Sequence, residues 1–545
     1  MASVRSSSYS VTSLFGTPST PSMISKRETM DLTGSVYLIS SDGQTIKLPI
    51  PTKSRRDPLN WGKWKRIWAF TSLMFSAITS MAAVQIVSLL LQPLSVEYSD
   101  EQTRPFHITI LQSTPTLFMG IGAFLWIPLS LAIGRRPVLL LASLVVLIST
   151  ICAGIERNFY LLLVALCFQG LGAGAWTSVV ILIIIDLTFI HQRPIAIAMI
   201  WSLVGVANMC ILSVFPYMAD ANKEWRTFYL IWIGPCAFAC LGLFFFFPET
   251  YFVRPAVAFD CRIIVQSATE KIKLYDSWEE VPGGKDLPET PGWSRCDMKV
   301  WGLTKGGWKA MRACYPQILL CMVNPLVFWV AVLEALVFGS MLSIGETYAS
   351  VLLAPPYSLP IHTVALVNIA GAVGSLFAWP AAGLMIVAIT RRLSMKNKGV
   401  RDAEYYLPAF VLPVLAAAAS VVIYGLTAHN KWHPIWIYVS YAFNSFGFAG
   451  LAAANSLWVT EAFPRWAAPA MVVVSGVSYM ASFGISFAIY PWVKSQGFAG
   501  QNLQLGAMIL AVGLVAVPVS FWGKRLRQYI DGKWAVNEMG ALRPQ

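Results

Sequence analysis

Glu334 stands inside a long apolar stretch, with Phe328-Trp329-Val330-Ala331-Val332-Leu333 before it and Ala335-Leu336-Val337-Phe338 after it. Holding a carboxylate in a bilayer costs at least ~2.5–3.5 kcal/mol, so its presence points to a task. It could couple a transport step to H⁺ by losing and regaining a proton near neutral pH, or it could bind a cationic group. The alternative is a protonated or hydrogen-bonded Glu that faces another helix. Other polar side chains recur in apolar runs at helical spacing. Gln169 and Trp176 share one helix face, with Gly172 and Ala173 between them. Asn444 and Asn455 also share a face, with Phe448 and Leu451 between them, and Gln85 sits in an earlier run. Amides and aromatics so placed suit a mostly apolar ligand with a few hydrogen-bonding groups. They serve hydrogen bonding between helices equally well.

These side chains need elements that hold them in lipid. The 545-residue chain is 56% hydrophobic and only 12% charged, and its charges cluster between long apolar runs. A span needs about 20 apolar residues at ~1.5 Å rise each. Twelve spans are read, at 67–91, 107–131, 137–155, 159–185, 194–218, 225–247, 317–342, 361–390, 406–427, 434–458, 467–492 and 501–523. The expected class is an all-α membrane protein in two six-helix halves. Its domains would be a disordered cytosolic tail (1–66), a first bundle (67–247), a central cytosolic loop (248–316), a second bundle (317–523) and a C-terminal tail (524–545). In the central loop an interfacial helix is expected near Trp301 to Arg312.

Charge tests the count. With both termini in the cytosol, 34 of the 40 Lys and Arg residues fall on the cytosolic side, as the positive-inside rule requires. The net charge of +13 is spread between spans rather than gathered on a polar domain. Nucleic acid is therefore excluded, and anionic lipid headgroups are the expected counterpart. On this reading Asp186 and Glu461 have run past the bilayer into the cytosol, and Glu346 lies beyond the far end of span 7. Glu334 lies ~25 Å from the cytosolic end of that span, in the outer half of the bilayer.

No Gly-x-x-x-x-Gly-Lys-Ser/Thr loop occurs, so ATP-driven pumping is not expected of this chain. No His-Glu-x-x-His or other catalytic set is found, and the nine cysteines contain no Cys-x-x-Cys pair. Neither an enzyme, a metal nor a cofactor is expected. The two halves carry traces of duplication. Span 2 begins near His107 and ends at Arg135-Arg136; span 8 begins near His362 and ends at Arg391-Arg392. Glycines thread spans 2 and 4 (Gly120, Gly122, Gly170, Gly172, Gly174), where small residues let helices approach closely.

Several motifs carry a resemblance. Gly134-Arg135-Arg136-Pro137 resembles the loop after span 2 of the major facilitator superfamily, and Pro248-Glu249-Thr250 resembles the motif closing its first half. Asp57-Pro58-Leu59-Asn60-Trp61, Pro355-Pro356-Tyr357 and Asn397-Lys398-Gly399-Val400-Arg401-Asp402-Ala403-Glu404 are similar to a fungal, drug:H⁺ antiporter-like branch. There are departures. Leu131 replaces the loop motif's Asp, Leu166 replaces the Arg before Gln169-Gly170, and the antiporter pattern is missing after Gly205. The first of these leaves the loop with one carboxylate fewer.

The resemblance implies that spans 1, 4, 7 and 10 line a central cavity, bringing Gln85, Gln169, Trp176, Glu334, Asn444 and Asn455 to substrate. It implies that Gly134, Arg135 and Arg136 latch the halves in one gating state. The arginines could also bond the terminal carbonyls of span 2 or simply set topology. A monomeric plasma-membrane transporter follows, with a small organic molecule, the bilayer and protons as partners. Export of a toxin, drug or secondary metabolite is the first reading. Uptake of a cationic nutrient such as a polyamine or amine is the second. A non-transporting sensor on the same fold is the reading from another class.

Overall fold

The computed structural model describes residues 57–218, 225–252, 298–304, 306–397 and 400–534, with further short strands at 35–37, 257–259, 262–266 and 272–275. Lipid offers the backbone no hydrogen bonds, and a helix satisfies its own. The described chain is accordingly built from long helices. In chain order we number Lys63–Leu91 (α1), Ile110–Ile133 (α2), Arg135–Ile155 (α3), Phe159–Leu187 (α4), Arg193–Met218 (α5), Trp225–Phe246 (α6), Pro325–Leu353 (α7), Ile361–Lys396 (α8), Ala403–Asn430 (α9) and Ile435–Ala462 (α10). The last segment, Ala467–Ile530, is α11 before Gly497 and α12 after it.

Ten helices among the described residues are long and apolar enough to cross a membrane. The sequence reading of twelve departs from this at two places. Ile435–Ala462 is not among the ten, because Ser440, Tyr441, Asn444, Ser445 and Asn455 dilute its apolar character. Ala467–Ile530 is counted once, although Gly497 within it takes φ +72° and ψ 171°. That backbone is open to glycine and rare for other residues, so the chain turns there without a loop.

The start of α7 corrects the expected span at 317. The Asn324 side chain accepts the Leu326 N–H at 3.0 Å, and Pro325 takes the first helical position, a strong start signal. Gly307–Val323 is a separate helix packed against α2 and the beginning of α11. Glu334 therefore lies only ~14 Å from the start of its helix, not ~25 Å. Glu346, expected beyond the helix, lies well within it.

Within each half the same helix pair touches backbone to backbone. A Cβ on Gly174 of α4 would stand 2.5 Å from Met119 O of α2, and one on Gly374 of α8 would stand 2.0 Å from Ala442 O of α10. Since α2 and α4 become α8 and α10 six helices later, this contact agrees with the expected duplication. The halves meet along two seams. At one, α2 packs against α11, where a Cβ on Gly120 would lie 2.7 Å from Gly476 O. At the other, the α5 hydroxyl of Ser202 donates to Ser375 O of α8 at 2.5 Å. On the second-half side of each seam the helix widens to a π turn, at Val472–Val477 and Trp379–Leu384.

The tail expected to be disordered contributes one strand, Ser35–Tyr37, which pairs antiparallel with Val400–Asp402 between α8 and α9. The central loop holds a three-stranded antiparallel sheet, Val257–Phe259, Arg262–Gln266 and Ile272–Tyr275. Most of 1–56, about half of the central loop and all of the last eleven residues lie outside the described residues.

Candidate functional site

Between the halves lies a cavity. Its wall comes from α1, α2, α4 and α5 of the first half and from α7, α8, α10 and α11 of the second. The resemblance implied α1, α4, α7 and α10 alone; the seam helices widen that set. No residue lining it is charged, and most are aliphatic or aromatic. An aromatic chain crosses the cavity wall from one half to the other. Trp201 of α5 meets Phe448 of α10 edge-on at 5.9 Å, Phe448 lies 5.3 Å from Phe338 of α7, and Phe338 meets Tyr479 of α11 at 4.7 Å. Tyr479 closes the chain by hydrogen bonding to Thr177 of α4.

Of the six side chains singled out as candidate ligands, the structure places Gln85 and Trp176 on this wall. The other four lie behind it, bonded to neighbouring helices. Gln169 donates to Thr150 Oγ1 at 3.0 Å, and Asn444 donates to Ser340 and Ser420 at 3.0 and 3.1 Å. Asn455 donates to Glu334 Oε2, and Asn455 is the one hydrogen-bond partner of Glu334 among the described residues. Glu334 is buried, within electrostatic reach of the wall residue Tyr479. A second carboxylate on the same helix, Glu346, accepts from Ser486 of α11.

Sequence reasoning passed over Gln112, Trp201, Asn208 and Ser445, which all line the cavity. Each carries a buried polar atom with no hydrogen-bond partner among the described residues, as Gln85 and Trp176 also do. Their helices carry apolar residues on every side, toward lipid as well as toward protein, so no amphipathic stripe marks the face that matters.

The charged end of the molecule is organised differently. Gly134 has φ +102°, and a Cβ there would lie 2.4 Å from Glu249 Oε2. Glu249 accepts the backbone N–H groups of Arg135, Arg136, Thr250 and Tyr251 at 2.9–3.2 Å. Arg135 donates to Ser130 Oγ at 2.7 Å and lies 3.6 Å from Asp186; Arg136 donates to Phe244 O at 2.6 Å. The expected bonds from these arginines to the end of α2 are replaced. Thr304 takes Leu131 O and Ala132 O instead, through its hydroxyl and its N–H. Asp186 and Glu461, expected in the cytosol, are buried at their helix ends. Glu461 of α10 accepts from Arg193 of α5 at 2.6 Å and from Arg401 at 2.7 Å, so one carboxylate ties the first half to the second.

At the opposite end, Glu97 meets Arg226 and the Trp225 indole at 2.5–3.0 Å. Burial pushes the Glu97 carboxyl up, but those two donors more than offset it and hold it below the usual carboxylate range.

A family model described as Major Facilitator Superfamily matches residues 73–483. An MFS-type transporter of Schizosaccharomyces pombe is 20% identical over 533 residues, covering 90% of each chain. The MFS-type transporter penM of Penicillium rubens is 23% identical, covering 86% of this chain and 87% of its own. Among solved structures, the proton:xylose symporter XylE superposes with a TM-score of 0.57 at 13% identity, over 83% of this chain and 95% of that one.

Proposed function

The chain belongs to the Major Facilitator Superfamily, and from that premise we propose that it exports an uncharged, mostly apolar small organic molecule by alternating access. One observation carries the reading: a cavity walled by both halves has no charged residue on its wall. Such a wall disfavours an ion, whose desolvation nothing there would offset. A neutral apolar compound enters cells through lipid unaided, so a carrier for it does useful work only by expelling it uphill. That work needs coupling. Glu334, buried, and Glu346, half-buried, both on α7 beside the cavity, are the proposed proton carriers. Uptake of a cationic amine, by contrast, would want a carboxylate on the wall, and Glu334 lies behind it.

In this reading the chain crosses the membrane twelve times, with Ile435–Ala462 and the two arms around Gly497 each making a pass. Both termini and the charged end face the cytosol, and the protein sits as a monomer in the plasma membrane. Six helices precede the central loop at about 248–316 and six follow it. Arg193–Glu461 then closes the cytosolic gate, while Gly134, Arg135 and Arg136 brace the corner behind it. Substrate meets Gln85 and Trp176 directly. Gln169, Asn444 and Asn455 set the helices that carry the wall.

The test uses pump-deficient yeast expressing the full chain, with labelled progesterone as neutral probe and labelled spermidine as cationic probe. Lower progesterone content, reversed by a protonophore and absent in Glu334→Gln, is the expected result. Raised spermidine with unchanged progesterone would replace export by amine uptake.

A further inference from the structure

The polar atoms of the cavity are sorted along its length. Trp201 lies ~12 Å and Trp176 ~16 Å from the charged end, counting helical rise from Arg193 and Leu187. Gln85 and Gln112 lie ~32 Å from it, counting from Lys63 and Ile133. An indole N–H can only donate, whereas an amide offers a donor and an acceptor and can present either. Of the wall atoms without a partner among the described residues, those nearest the charged end, the deep end, are thus donors only, and those at the far end are adaptable.

The two indoles are unlike tryptophans that join helices elsewhere. Trp126, Trp232 and Trp329 each donate to a backbone carbonyl of another helix, at 2.7–2.9 Å. Trp176 and Trp201 line the cavity, and neither Nε1 has a partner among the described residues. Trp61 and Trp458 Nε1 also lack one, but neither residue is on the cavity wall. Trp176 is only 4% exposed, so its N–H is withdrawn from bulk water. A buried donor left unpaired is costly, and a ligand acceptor that meets it gains accordingly.

We propose that Trp176 and Trp201 select substrates bearing a hydrogen-bond acceptor, a carbonyl or ether oxygen, on an apolar body, with the acceptor leading into the deep end. This rests on the cavity being the substrate site of an exporter. It adds that specificity is set by two donors on α4 and α5. The far amides, Gln85 and Gln112, then accommodate whichever polar group trails.

The experiment measures binding to the purified full-length protein of matched ketone and hydrocarbon pairs: progesterone and 5α-pregnane, benzophenone and diphenylmethane, fluorenone and fluorene. The ketone of each pair is expected to bind more tightly. Trp176→Phe, which keeps an aromatic ring and removes the N–H, should weaken the ketones roughly 3–10-fold, the range of one hydrogen bond, and the hydrocarbons less than about twofold. Trp201→Phe should act in the same direction and reports independently if the first variant folds poorly. No ketone preference in any pair, equal losses for ketone and hydrocarbon, or no binding of any ketone overturns the proposal. If cells still export progesterone while the substitutions weaken ketone and hydrocarbon binding equally, only this inference fails. If the ketones bind as stated but cells export nothing, the export reading fails and the binding assignment stands.

Discussion

The charged end and the cavity lie within one bundle and treat polar groups in opposite ways. At the charged end Glu461 holds two arginines, Glu249 holds four backbone N–H groups, and Arg136 reaches a helix-end carbonyl. Among the described residues the cavity wall holds no charge and buried polar atoms on six of its residues have no partner, whereas at the charged end such atoms belong to side chains that are otherwise bonded, as in Arg136 and Arg193. A network with its bonds made is specific for one arrangement of the helices and resists leaving it. Unmade bonds do nothing for the fold and are free to act on a ligand. On the proposed function, the difference separates what holds the two halves in register from what reads the cargo.

The sharpest way to break the contrast is Glu461→Gln. It strands Arg193 and Arg401 in a buried setting, and losing one partner of a buried pair typically costs about 3–5 kcal/mol. Thermal unfolding of the purified protein should show this loss, and spin labels placed across the charged end should report wider separations. Arg193→Gln should cost less, since Arg401 still neutralises Glu461. An unchanged melting temperature in Glu461→Gln would remove the latch from the account.

Asn208→Asp tests the other region by placing a charge on the uncharged wall. Export of neutral probes should fall about tenfold, the effect of roughly 1.4 kcal/mol, with a gain for cationic probes. Unaltered export of neutral probes would show that the wall does not exclude charge.

Gln112→Leu sharpens the comparison because stability and function should move apart. Removing a buried amide whose oxygen is unpaired should leave stability unchanged or raise it by about 1 kcal/mol, while transport of polar-tailed substrates drops. Destabilisation beyond that would mean Gln112 holds the fold together.

The smallest effect is expected at Glu97. Its carboxyl is held below the usual range, so the Arg226 clamp contributes above the unfolded value and is lost as pH falls through the folded one. Exposure limits the contribution to under about 1 kcal/mol. Glu97→Gln should remove a small acid sensitivity from the melting curve and nothing else.

Much of the scaffold was legible because lipid imposes a simple rule. Apolar length marked the helices, and basic residues marked one side. The glycines of α2 and α4 announced the close approach that Gly122, Gly170 and Gly174 make. Asn324-Pro325 was a readable helix start, overlooked because apolar residues continue across it. The pairing of Arg193 with Glu461 was not legible, since 268 residues separate them. Nor could apolar length tell a wall residue from a packing residue. Asn444 and Asn208 look alike in sequence, and the side-chain carbonyl of each lacks a partner among the described residues, yet Asn444 bonds two neighbouring helices behind the wall and Asn208 lines the cavity.

Glu461 also sets an electrostatic asymmetry. With the halves together, one negative group serves two positive ones, and the cluster carries a net charge of +1. In the proposed alternating-access cycle, Arg401 stays with Glu461 on the second half as a neutral pair when the halves part, and Arg193 leaves on the first half as a cation separated from Glu461. The clasp therefore opens by releasing a single positive charge from one side. Anions at the membrane surface can receive it, and anionic lipid and ionic strength then enter the gating equilibrium through Arg193.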